Sequence, residues 1–183
     1  MNGFGRPEPN EHADRYRKYV DVVPDGDIFQ ILIRQLGETL SLFQEVPSSR
    51  ETYRYKPDKW SVRGVAGHLI DLERVLAHQA LSIARSETVV LPGIDRNEWA
   101  DNSNADQRSL DDLAAEWAVL RRSTVHMLST LPAECGGRSG VASGVEFTVR
   151  CFPWIIAGHE LWHRELLRSD YSVGSGGSSS DRL

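Results

Sequence analysis

The stretch SVRGVAGHLIDLERVLAHQALSIAR, Ser61–Arg85, carries Val65, Leu69, Leu72, Val75, Leu76 and Ile83 at three- and four-residue steps. That spacing places side chains on one face of an α-helix. Ser61 suits the N-cap, where its hydroxyl can accept from a first-turn amide, and Trp60 before it can staple onto Val65. Three more segments repeat the period. Asp27–Val46 presents Phe29, Leu32, Leu36, Leu40 and Phe43, and Pro47 ends it. Ser109–Leu131 opens on a capping Ser109, turns Leu110, Leu113, Trp117, Leu120, Thr124 and Leu128 inward, and stops at Pro132. Phe152–Ser169 holds Ile155, Ile156, Trp162, Leu166 and Leu167. Four long amphipathic helices with little strand predict an all-α, antiparallel four-helix bundle with long crossover loops.

Outside these helices the sequence changes character. Residues 1–24 are polar and carry Pro7, Pro9 and Pro24, which predicts a loosely attached leader. The end, 172–183, is Gly/Ser-rich and predicts a flexible tail. The bundle domain is then expected over 25–171. Residues 87–108 hold Pro92, Gly93 and many Asn and Asp, so an irregular crossover is expected. Residues 133–151 are Gly-rich and then alternate through Val145-Glu146-Phe147-Thr148-Val149, either a short strand or an extended run into the last helix.

Composition sets bounds on function. At 183 residues, 40% hydrophobic and 26% charged, the chain is an ordinary globular domain with a real core. A net charge of −5, with acids and bases interspersed, argues against a nucleic-acid surface and against an anionic-membrane patch. No secretory h-region and no 18-residue apolar run are visible, so a cytoplasmic protein without a membrane span is expected. Cys135 and Cys151 lack a C-x-x-C spacing, and the simplest reading is two reduced core residues.

Chemistry concentrates in the histidines. His159 and His163 stand four apart in AGHELWHRELL, on one helix face and in register with Ile155, Ile156 and Leu166. His68 lies in the stripe of the second helix, three after Val65 and four before Leu72. A lone His on an apolar stripe is usually a hydrogen-bonded boundary residue. Three inward histidines on two helices are costly to bury without a shared partner. Three neutral imidazoles on one ion leave coordination positions for water or substrate. Asp71, one turn from His68, is a weak candidate for orienting an imidazole or accepting a proton. His78 reads as a boundary residue, and His12 and His126 as solvated. Glu160 and Glu165 read as members of surface ion pairs. Ser-His-Asp order, a P-loop and G-x-G-x-x-G are all missing, which leaves acyl-enzyme, nucleotide and dinucleotide chemistries without support.

A family resemblance joins these pieces. YKPDKWSVRGVAGHLIDLE, Tyr55–Glu73, resembles the second-helix signature of the DinB/YfiT-like family: Trp-Ser at the helix start, a His seven residues after the Ser, then Asp and Glu. WIIAGHELWHRELL, Trp154–Leu167, resembles that family's final H-x-x-x-H helix. Order and separation of the two motifs also agree, so the resemblance covers about Asp27–Arg168. It implies a four-helix bundle with one divalent ion on His68, His159 and His163, zinc or nickel first and iron or manganese as alternatives. It also implies a small-molecule substrate and one of two chemistries. One is hydrolysis; the other is transfer or isomerisation with a low-molecular-weight thiol such as bacillithiol or mycothiol. Bundles of this size also pair readily, so a homodimer is an expectation. The contrasting reading is a non-catalytic metal- or small-ligand-binding stress protein, which a sealed site would favour and an open pocket would oppose.

Overall fold

The computed structural model describes residues 4–86 and 88–174. Its helices are α1 (Asp14–Asp21), α2 (Ile28–Gln44), α3 (Val62–Arg85), α4 (Arg96–Asn102), α5 (Leu110–Ser129) and α6 (Cys151–Ser169). Three of the long helices, α2, α3 and α5, begin where side chains satisfy free amides. Asp27 accepts from the Phe29 and Gln30 amides, Ser61 from Gly64 and Ser109 from Asp112.

The four long helices form a bundle in which α2 packs on α5 and α6, and α3 also packs on α5 and α6. Consecutive α2 and α3 therefore lie diagonally across the bundle, as do α5 and α6. Two apolar clusters give the directions. One gathers Ile28–Leu32 of α2, the Leu76–Ala84 half of α3, Val125 and Leu128 of α5, and Cys151–Ala157 of α6. The other gathers Leu36–Phe43, the Val62–Ile70 half of α3, Leu110–Ala118 and Leu167. Helices α2 and α6 thus run one way and α3 and α5 the other. Adjacent α3 and α5 point the same way, which is why a long crossover must separate them.

Between the two clusters the interior turns polar. Gln35 and Thr39 of α2, Glu73 of α3, Arg121 and Thr124 of α5, and His159, Glu160 and His163 of α6 are all buried in this middle band. Polar side chains at such depth are stable only with partners.

Several expectations are corrected here. The leader is not loose: α1 packs on α6, Phe4, Val20 and Val23 are buried, and Trp154 Nε1 donates to the Phe4 carbonyl at 3.1 Å. Its polarity concealed the apolar residues that face inward. Of the expected tail, 175–183 lie outside the described residues, and Val173 is buried. The crossover contains α4, the 3-10 turn Ala105–Gln107 and strand β1 (Val90–Leu91). Strand β1 pairs in parallel with β2 (Ser139–Ala142), which pairs antiparallel with β3 (Val145–Thr148). Trp162, one of the apolar residues of the last helical segment, is 46% exposed and edges onto Tyr19. No described helix is long and apolar enough to cross a membrane.

Candidate metal centre

Helix α3 delivers His68, and α6 delivers His159 and His163 one turn apart. All three rings are buried, and one ring nitrogen from each lies within 4.8 Å of the other two. His68 Nε2 and His159 Nε2 are 3.1 Å apart, and the ring centroids of the trio are separated by 4.5–5.0 Å. Trp60 lies against His68, centroids 4.5 Å apart, and Tyr19 of α1 meets His159 edge-on at 5.5 Å. The rings are thus gripped by aromatic neighbours from two directions.

Electrostatics keeps the trio neutral. Burial, then the Arg96 charge, pushes His68 down to about 4. Burial, then His68 and Arg96, pushes His163 down to about 3. His159 is lowered by burial first and then by His163 and His68. Each imidazole near neutral pH therefore keeps one unprotonated nitrogen. The Nδ1 of His163 is buried without any hydrogen-bond partner among the described residues. Two facing Nε2 atoms can share one proton at most, so the third ring finds no internal solution. A divalent metal ion with affinity for imidazole nitrogen fits this donor set.

A cavity of about 520 Å³ opens against His68 and His159. Its walls come from α1 (Tyr16, Tyr19), α3 (Leu72, Leu76), the Gly93–Asn97 segment, Ser143 of the β2–β3 turn and Ile155 of α6. His163 is not among the residues that line it. An ion held by the trio would thus face the cavity at His68 and His159, where a further ligand could reach it.

The other predicted residues are scattered. Asp71 does not line the cavity; it pairs with Arg74 at 3.8 Å, and burial raises its pKa. His78 and His126 are exposed. His12, expected in solvent, is buried with Nδ1 3.2 Å from the Ala13 carbonyl. Glu160, expected in a surface pair, is 1% exposed and bonded to Arg121 Nη1 at 2.6 Å and Thr39 Oγ1 at 2.6 Å. Arg121 also binds Glu73, which accepts from Trp117 Nε1 at 3.0 Å as well. This network, one residue beyond His159 and five beyond His68, escaped the sequence reading. Its signal was an arginine on the apolar stripe between Trp117 and Thr124. Also missed was Asp95, the one carboxylate among the described residues lining the cavity. Its Oδ1 accepts from the Asn97 and Glu98 amides at the start of α4.

Comparison with known proteins agrees with this architecture. A family model described as the DinB superfamily matches residues 31–167. Among solved structures, YfiT from Bacillus subtilis, described as a probable metal-dependent hydrolase with an unusual four-helix bundle topology, aligns with a TM-score of 0.70 at 18% identity. The alignment covers 91% of this chain and 95% of that one, and shows a shared fold. No curated protein matches. The matched span contains all four long helices except the ends of α2 and α6, together with His68, His159 and His163, and the chain belongs to the DinB superfamily.

Proposed function

We propose that the chain is a metal-dependent hydrolase acting on a small molecule, with one divalent ion, zinc or nickel, held by His68, His159 and His163. The observation that carries this reading is the convergence of three buried, neutral imidazoles at the base of an open cavity. The description of YfiT as a probable metal-dependent hydrolase points the same way. A divalent ion bound there supplies Lewis acidity, lowering the pKa of water and polarising a carbonyl or phosphoryl oxygen.

The chain's own residues do the rest. Three neutral ligands leave the cation's charge undiminished, unlike a set containing carboxylates. Trp60 and Tyr19 hold the His68 and His159 rings in orientation. Tyr16, Leu72, Leu76 and Ile155 strip water from an apolar part of the substrate. Asp95 is the carboxylate in position to take a proton on its second oxygen. Thiol transfer is the second reading. It draws on the same Asp95: with Oδ1 committed to capping α4, proton acceptance is weakly provided, and a thiol acidified by an ion needs less of it.

Elemental analysis of untagged protein tests the centre. Wild type should carry about one equivalent of transition metal per chain. His159→Ala and His163→Gln should lose it while keeping the helical circular dichroism of wild type. Metal-free wild type, after incubation with zinc, nickel and manganese, would sink the reading. Cleavage of ester, amide and phosphoester panels by loaded protein then separates hydrolysis from thiol-dependent turnover. Asp95→Asn preserves the helix cap but cannot take a proton, and should lower kcat with KM little changed.

A further inference from the structure

The cavity combines two kinds of lining. Apolar side chains of α3 and α6, among them Leu72, Val75 and Ile155, supply one. Arg15 of α1 and Arg96 at the start of α4 supply the other. Arg15 is held in place: its Nη2 donates to the Ser143 carbonyl at 3.2 Å and its guanidinium lies 5.2 Å from the Tyr16 ring centroid. Neither arginine pairs with a carboxylate among the described residues. The nearby Asp95 turns one oxygen to backbone amides instead. A third feature is independent of charge. Gln79 is 4% exposed, lines the same cavity, and has no side-chain hydrogen-bond partner among the described residues. Its amide atoms are not among the buried ones left without a partner, so they open to the cavity, where water or a ligand's polar group can bond them.

Arg15 and Arg96 are both exposed and without a carboxylate partner among the described residues, so each fork is available to a ligand in the cavity. Guanidinium forks match the planar geometry of oxyanions. We propose that this cavity takes a small amphipathic oxyanion, its carboxylate or phosphate between Arg15 and Arg96, its polar middle on Gln79, and its apolar body on Leu72, Val75 and Ile155. This rests on the hydrolase reading only in treating the cavity as the substrate's.

Calorimetric titration of the full chain as purified, with metal content measured in every sample, tests the proposal. The probes are 4-phenylbutyrate, 2-phenylethyl phosphate and the neutral 4-phenylbutanol. At least one oxyanion should bind wild type about tenfold or more tighter than the alcohol, as charged hydrogen bonds of ordinary strength give. Whichever oxyanion binds tighter names the anionic group. In Arg15→Gln/Arg96→Gln, whose substitutions lie on the surface, that preference should vanish with metal content and melting temperature unchanged. Gln79→Leu should weaken the oxyanion and leave the alcohol unaffected or tighter. The proposal is overturned if neither oxyanion binds, if acid and alcohol bind alike, or if the preference survives in the double variant. Survival there would place the oxyanion on the metal instead. A wild type that lacks metal yet shows the arginine-dependent preference would remove the hydrolase reading and leave the anion site standing.

Discussion

Arg121 donates to Glu73 on α3 and to Glu160 on α6, with all three side chains almost wholly out of solvent. One cation serves two carboxylates, and burial pushes Glu160 upward accordingly. Arg121→Met leaves both acids without a counter-charge and should destabilise the fold by about 3–5 kcal/mol in urea denaturation. Glu160→Gln keeps an acceptor for Arg121, and its amide can donate to the Thr39 hydroxyl where the carboxylate accepted from it, while relieving excess negative charge, so it should stay within about 1 kcal/mol of wild type. Equal losses for the two variants would show that charge balance is not what Arg121 provides. The histidines predict a pH dependence. Unfolded imidazoles titrate near 6.5, whereas folded His68 and His163 titrate near 4 and 3. The unfolded chain therefore binds more protons between these values, and stability rises with pH across that window. Chelator-treated protein should hold its full stability above about pH 6.5 and lose it progressively down to about 4, with a shallower slope in His163→Asn. At this scale the meeting of the histidines was legible, because helical spacing alone projects His159 and His163 to one side. Glu160 was not: its burial depends on an arginine on another helix, and local pattern does not encode distant pairing.

Helix α1 docks on α6 where Gly158 removes a side chain. A Cβ at that position would collide with the Tyr19 carbonyl, a backbone atom that cannot rotate aside. Gly158→Ala gains intrinsic helix propensity for α6 yet should lose more by displacing α1. Cleavage by trypsin at Arg15, Arg17 or Lys18 should become faster than in wild type. Metal affinity should fall as well, since Tyr19 then no longer backs His159. Unchanged proteolysis would mean that α1 shifts without undocking. The long helices were legible because each carries a sustained apolar stripe, bounded in α2, α3 and α5 by Asp, Ser or Pro signals. Helices α1 and α4 were not, being one to two turns long and mostly polar, with stability that comes from packing and caps. The alternation at Val145–Thr148 announced extended chain, but its partners were hidden, since β1 comes from the distant crossover.

The whole molecule places its polar band between two apolar ends, so the candidate centre spans helices that run in opposite directions. An ion held by α3 and α6 together should act as a cross-link on the folded state alone. At one hundred times its Kd it would add about 2.7 kcal/mol. For a chain of this length that corresponds to a rise of roughly 5–11 °C in Tm. Differential scanning with and without zinc or nickel checks this, and His68→Ala should abolish the shift. The contact between Tyr19 and Gly158 has a further consequence, in time rather than in space. Helix α1 is made before α6 and must wait for it before the two can dock, since Gly158 follows Tyr19 by 139 residues (158 − 19). At ribosomal speeds of roughly 5–20 residues per second that wait is about 7–28 s. During it His68 is already made, while both of its companions on α6 are not. The candidate centre is therefore assembled only once α6 has been made, and a nascent chain stalled before α6 would expose α1 to proteases and leave any metal with a single imidazole.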